Sequence, residues 1–300
     1  MSKEHWLALL SIAGIGGATA RKLLDRFGSI EAMFAASVAE LSAVPRISDA
    51  QAEQLLALSL DEMAAHLEAL ADAGIDILTW DDDDYPSNLR PVNDAPPLLF
   101  VRGTLLPNDS EAVAIVGSRE ATPRSLALAE RLAHTMAERG LTVVSGLALG
   151  IDTAAHRGAL QARRGRTLAV LGSGLGAIFP RENIALAEEI AERGAVLSEL
   201  RPTTPASGPS LMARDRIVSG LSRAVIVVEA RERSGTMDTA RRAKAQDRLL
   251  IAVPGSEGCD LLLRQGAIPL SGDSDLDDLA ARVRACAVGG DDAPQQLGLL

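Results

Sequence analysis

From residue 112 onward the chain is written as short apolar runs separated by spacers of helix length, and this alternation limits the possible folds more than any other feature. The runs are Ala112–Val116, Leu141–Val144, Thr167–Leu171, Ala195–Leu197, Ala224–Val228 and Leu249–Val253. Spacers such as Ser125–Arg139 and Asn183–Arg193 are long enough for helices. A strand with one wet face alternates apolar and polar residues, whereas a strand apolar throughout must be covered on both faces, as parallel strands joined by crossover helices are. The pattern predicts an α/β fold: a Rossmann-like, doubly wound, mostly parallel sheet. Aromatic residues are only 2% of the chain, so the core must be built from Ala, Leu, Val and Ile.

The first 70 residues read differently. Leu7, Leu10 and Ile12, then Leu23, Leu24 and Phe27, fall at helical spacings on either side of Gly14-Ile15-Gly16-Gly17. A second, similar unit carries Leu55, Leu56 and Leu58 after Pro45-Arg46-Ile47-Ser48, without the glycines. Helix, tight turn, helix is a helix-hairpin-helix (SAM-like) pattern, and its turn amides can face a phosphate. Arg21, Lys22 and Arg26 follow the first turn; either a packing module or a DNA contact is compatible with them. The run Asp81–Asp84 is a solvated loop or, with ligands from elsewhere, a cation site. Pro91, Pro96 and Pro97 mark a stiff connection into Leu98–Val101. The expected organisation is a helical domain over 1–75, a connecting segment over 76–110, the Rossmann-like domain over 111–286 and a flexible tail over 287–300.

The formal net charge of −10 argues, on its face, against a nucleic-acid binder. Its distribution weakens that argument. Residues 1–110 hold 7 basic and 17 acidic side chains, residues 111–258 hold 20 and 16, and residues 259–300 hold 3 and 7. The middle of the chain is therefore mildly basic, and 19 of its 20 cations are Arg, the better residue for phosphate recognition. No apolar run approaches the roughly 20 residues of a membrane span, and the N-terminus does not read as a secretory signal. Two cysteines exclude a disulfide framework and point to a reducing, cytoplasmic setting.

In a doubly wound sheet, ligands bind beyond the C-terminal ends of the strands. There the sequence places Gly117-Ser118-Arg119, then Ser145-Gly146 running into Gly150-Ile151-Asp152, then Gly172-Ser173-Gly174, and Glu229 followed by Ser234-Gly235-Thr236. Gly permits close backbone approach and helix-start amides attract anions, so these loops predict a phosphate-binding rim. No P-loop is present, Gly172–Gly176 is GxGxG rather than GxGxxG, and there is no GxSxG elbow. No dinucleotide or other cofactor is expected, and four His with two Cys offer no zinc-like cluster. Asp152 and His156, at i and i+4, could be an acid/base pair or metal ligands; the simpler reading makes Asp152 the cap of the helix start and His156 a locally hydrogen-bonded residue.

Taken together, these loops resemble the DNA processing protein A (DprA/Smf) family. The resemblance is carried by Val113–Arg119, by Ser145-Gly-Leu-Ala-Leu-Gly-Ile-Asp-Thr-Ala-Ala-His156, and by Ala169–Gly172 with Phe179-Pro180. Further matches are Ser198-Glu199, Arg216–Ser222, Val228–Ala230, Ser234-Gly-Thr236 and Val253-Pro-Gly255. It implies a non-enzymatic, single-stranded DNA-binding protein, usually dimeric, that helps load a RecA-type recombinase in natural transformation. The binding candidates it carries over are Gly117, Ser118, Arg119, Gly146, Gly150, Arg214, Arg216, Ser234, Gly235 and Thr236. Two departures stand out. The family usually reads Arg-Asn-Arg where this chain has Arg214-Asp215-Arg216, and it usually has an aromatic and a Pro where this chain has Leu211-Met212. Both predict weaker single-strand affinity than in typical members. The alternative is a nucleotide-binding sensor or nucleotide-processing protein on a related fold; for hydrolase chemistry, Thr239 stands where such enzymes carry a catalytic Glu.

Overall fold

The computed structural model describes residues 3–270 and 276–286, so the expected tail over 287–300 lies outside the described residues. Nine strands occur among them: β1 (Asp76–Thr79), β2 (Leu98–Gly103), β3 (Ala112–Val116), β4 (Thr142–Ser145), β5 (Thr167–Val170), β6 (Ala195–Ser198), β7 (Ala224–Val227), β8 (Leu249–Ala252) and β9 (Ile268–Pro269). They form one sheet in the order β1-β2-β6-β5-β4-β3-β7-β8-β9. The six apolar runs are the six strands β3 to β8, shifted by at most one residue at their ends, and all neighbours among them pair in parallel. The expected doubly wound, Rossmann-like fold is therefore present.

Both faces are covered, as strands without polar alternation require. Along β3, Ala112, Ala114 and Val116 enter one core while Val113 and Ile115 enter the other. The second core is closed by α7 (Pro123–Glu138) and α8 (Ile151–Gln161), and by α13 (Leu276–Ala285). In α7, Ala129, Leu132, Ala133, Met136 and Ala137 are buried, the 3.6-residue spacing of one helix face. Thr122 caps α7 by accepting from Ser125 N, and Pro123 occupies the first turn, where its missing N–H costs nothing. The first core is covered by α9 (Ile184–Arg193), α10 (Gly208–Leu221), α11 (Gly235–Ala245) and α12 (Glu257–Arg264).

The segment 76–110 is more than the connection expected for it. It supplies β1 and β2, and β2 joins the parallel sheet antiparallel to β6, with Phe100 opposite Ser198 and Val101 opposite Leu197. Pro97 immediately precedes β2, a position where no ladder N–H is lost. The N-terminal unit is six short helices: α1 (Lys3–Leu9), α2 (Gly17–Phe27), α3 (Ile30–Phe34), α4 (Val38–Ser42), α5 (Asp49–Leu56) and α6 (Leu60–Asp72). Its apolar residues, from Trp6 to Met63, belong to the same core as one face of the sheet.

That docking uses the features read as ambiguous in the sequence. Trp6 Nε1 donates to Asp81 at 2.6 Å, Trp6 meets Trp80 edge-on at 5.9 Å, and the Arg21 guanidinium lies 4.5 Å from the centre of the Trp80 ring. Asp82 accepts from Thr79 N and Oγ1 and faces Lys3 at 3.6 Å. Half of the aspartate run is thus spent on packing. Gly17 is buried against the backbone of residues 94–95, where a Cβ would overlap Ala95 O. The glycine turn of the first hairpin is therefore a docking surface. In the second copy Arg46 takes the left-handed conformation that Gly14 takes in the first (φ 80° and 86°).

Candidate nucleic-acid interface

The sheet order places β3 between β4, which leads to one edge, and β7, which leads to the other. At such a switch point the loops leaving neighbouring strands diverge and open a crevice. A cavity of about 500 Å³ lies there, at the C-terminal ends of β3, β4 and β7.

Eight of the ten residues singled out in the sequence line it: Gly117, Ser118, Arg119, Gly146, Arg214, Ser234, Gly235 and Thr236. Gly150 does not, but it makes the lining possible. It has φ +79°, and a side chain there would overlap the backbone of Ser118 and Arg119; Ile151 N then donates to Ser118 O at 3.2 Å. Arg216 is engaged elsewhere. It holds Glu199 through two 2.6 Å bonds and donates to Asp94 O at 2.8 Å, which fastens α10 to the end of β6 and to the segment before β2. The third Gly loop is also withdrawn: Gly174 N donates to Thr204 O and Gly176 N to Pro202 O, both at 2.8 Å.

The chemistry of the cavity is cationic at its rim and acidic beneath. Arg119, Arg231 and Arg233 are exposed, and Arg231 pairs with the equally exposed Glu120 at 2.9 Å. Residues 231 and 233 went unnoticed in the sequence, although they directly precede Ser234-Gly235-Thr236. Helix α11 starts at the cavity with no side-chain cap; the Ser234 hydroxyl donates instead to Arg231 O. Arg214 is buried, donates to Val170 O at 2.7 Å, and lies 3.1 Å from the Asp215 carboxylate. Its guanidinium fills the space that a Gly146 side chain would need.

Asp152 accepts from Gly146 N at 3.1 Å and Ala148 N at 3.4 Å, and so shapes the loop. Burial pushes its carboxyl above the usual range, against the pull of Arg214. Burial likewise raises Asp215 to about 6, again opposed by Arg214. His156 is wholly buried, with Nδ1 2.7 Å from Thr167 Oγ1; since that hydroxyl donates to Val143 O, His156 donates and its Nε2 has no partner. Burial and then Arg214 hold its pKa down near 3. Asp152 therefore does not cap the start of α8, whose N-cap, Gly150, has no side-chain hydrogen bond; it holds the loop before the helix, while His156 supports β4 and β5. Among the described residues no three His, Cys, Asp or Glu side chains are arranged to hold a metal.

Comparison with known proteins decides the family. The profile described as DNA recombination-mediator protein A matches residues 76–282, more than two thirds of the chain. The chain belongs to this family. A second profile, SAM-like helix-hairpin-helix tandem, matches residues 7–61. Protein Smf of Escherichia coli is 36% identical over 88% of this chain and 71% of its own length. DNA processing protein DprA of Streptococcus pneumoniae is 42% identical over 62% of this chain and 67% of its own. Among solved structures, that of DNA processing protein A from Streptococcus pneumoniae superposes with a TM-score of 0.80 at 31% identity, covering 92% of this chain and 97% of the other. The Helicobacter pylori protein, whose structure was solved to describe its single-stranded DNA binding mode, gives 0.62 at 29% identity, covering 70% and 96%. Within the family fold, the departures at Leu211, Met212 and Asp215 all fall on the cavity wall.

Proposed function

We propose that this recombination-mediator family member binds single-stranded DNA along the cavity rim, protects it, and helps to load a RecA-type recombinase during natural transformation, acting without catalysis and as a homodimer that doubles the track. The observation that carries the reading is the convergence of Arg119, Arg231 and Arg233 with the uncapped start of α11 on one open cavity. Guanidinium groups and helix-start amides are the donors a phosphate backbone takes. The carboxylates that line the cavity are already engaged: Asp152 by loop amides, Asp215 by Arg214 and Glu120 by Arg231. That favours binding over acid/base chemistry. No helix among the described residues is long and apolar enough to cross a membrane.

The test is fluorescence anisotropy of the purified chain with labelled oligo-dT and with duplex DNA across a salt series. The expected result is preference for the single strand, with log affinity falling by about 0.7 per contacted phosphate for each tenfold rise in salt. A salt-independent or duplex-selective response would overturn the reading. The cavity volume, about 500 Å³, also suits a small ligand. Thermal stabilisation by a nucleoside monophosphate, with none by oligo-dT, would favour the nucleotide-sensor alternative. Sedimentation with and without recombinase tests the two protein contacts.

A further inference from the structure

The cavity wall offers no aromatic ring on which a base could stack, yet the chain exposes one beside it. Of its seven aromatic side chains, Trp6, Trp80, Tyr85 and Phe100 are buried and Phe27 and Phe34 are half-buried. Phe179 alone is exposed, at 46%. It lies on the loop that leaves β5, the strand next to β4, and so on the same C-terminal edge of the sheet as the cavity.

Phe179 is also not alone as an apolar group. Among the described residues the other exposed large hydrophobics are Leu106, Leu149, Ile184 and Met212. Met212 lines the cavity, and Leu149 follows Ala148, which lines it too. Asn183 fastens the Phe179 loop to that wall: it is buried, and its Nδ2 donates to Leu147 O at 2.9 Å and to Thr153 Oγ1 at 2.8 Å. Leu149, Phe179 and Ile184 are thus presented by segments tied to the cavity wall. Leaving a large ring in water forgoes the favourable burial of its apolar surface.

The charges beside it suit a nucleic-acid strand. Arg181 and Arg201 are exposed, and neither guanidinium is paired among the described residues. Arg181 is two residues from Phe179, and Arg201 belongs to the segment that closes over the third Gly loop. Glu182 is the exposed carboxylate between Arg181 and Asn183.

We propose that the single-strand track continues from the cavity across Ala148 and Leu149 to Phe179, whose ring stacks an unpaired nucleobase while Arg181 takes an adjacent phosphate. The inference rests on the single-strand reading above and adds a second subsite to it. It accounts for how a chain with Leu211-Met212 in the cavity wall still holds bases: the aromatic platform sits one strand further along the sheet edge. Stacking needs a π-face and no particular base, so the subsite is sequence-tolerant.

The experiment measures binding of the full chain to oligo-dT and to an oligonucleotide of the same length with abasic sites, using wild type, Phe179→Ala and Phe179→Trp. Phe179→Ala is expected to weaken oligo-dT binding about 5- to 100-fold, to leave the salt slope unchanged, and to bind the abasic strand as wild type does. Phe179→Trp is expected to restore affinity and to show quenched emission on binding. An unchanged oligo-dT affinity in Phe179→Ala overturns the platform while leaving the cavity reading in place. Failure of the wild type to bind oligo-dT overturns the cavity reading itself. A Phe179→Ala chain that sediments as a smaller species than wild type assigns the patch to a second copy, and overturns the proposal as well.

Discussion

The guanidinium of Arg214 occupies the space where a side chain on Gly146 would stand. A Cβ at residue 146 would overlap its Nη1, Cζ and Nη2, so glycine after β4 is what lets this arginine reach Val170 O and lie over the cavity floor. Gly146→Ala is therefore expected to displace Arg214 and lose a buried charge-assisted bond, about 1.5–3 kcal/mol of stability. Urea denaturation of Gly146→Ala, Arg214→Ala and the double variant measures this. Because the two changes remove one arrangement, the double variant should lose much less than the sum. Full additivity would show that the two residues act independently.

Arg119 and Arg216 are predicted to separate binding from folding. Arg119 is exposed at the rim, so Arg119→Ala should weaken oligo-dT binding alike for all sequences and lower the salt slope by about 0.7, with an unchanged melting temperature. Arg216 is buried and holds Glu199 and Asp94. Removing it leaves Glu199 half-buried and unpaired, which should cost about 2–4 kcal/mol while leaving the salt slope intact. Differential scanning fluorimetry beside the salt series distinguishes the two; a lowered slope in Arg216→Ala would return that residue to the DNA track.

Sequence and structure agree where a local rule sufficed, and part where the deciding contact is distant in the chain. Strands β3 to β8 were legible because a strand covered on both faces must be apolar throughout. Strand β2 was equally apolar, but the prolines before it spoke for a connection, and only pairing with β6 makes it a strand. The glycine loops after β3 and β4 announced the cavity. Arg216 could not be told from Arg214, two positions away on the same helix, because Glu199 and Asp94, which bind it, are brought there by β6 and by the segment before β2. For Gly17 the turn was evident, but its neighbour, Ala95 O, lies far along the chain.

Asp215 is predicted to make both stability and binding depend on pH. Its carboxyl rises from 3.8 to about 6 on folding, chiefly through burial. Below 3.8 it is protonated in both states and has no effect. As pH rises toward about 6 the unfolded chain ionises and the folded one resists, so this group's contribution falls, by on the order of 3 kcal/mol, and stays low above. His156 acts in the opposite sense, since its depressed pKa weakens the fold as pH falls below 6.5, but it is common to wild type and variant. The stability difference between Asp215→Asn and wild type should therefore grow in the variant's favour from pH 4 to 7. Removing a carboxylate beside Arg214 should also tighten oligo-dT binding several-fold near neutrality, about 1 kcal/mol, and less at pH 5. A constant difference across the range would show that Asp215 titrates normally.

The helix-hairpin-helix turn is predicted to report on docking. Gly17 meets the Ala95 carbonyl so closely that a methyl group would overlap it, and both partners are backbone, so neither can swing aside. Gly17→Ala should push α2 off the segment that precedes β2, loosening the Arg21–Trp80 and Trp6–Asp81 contacts together. Tryptophan emission should shift to longer wavelength, and limited proteolysis should cut between residues 73 and 98 faster than in wild type. Oligo-dT affinity and its salt slope should stay within a factor of about two, because the cavity is built from β3, β4, β7 and the helices that follow them. A large loss of DNA binding without the change in emission would assign the turn to phosphate rather than to the Ala95 carbonyl.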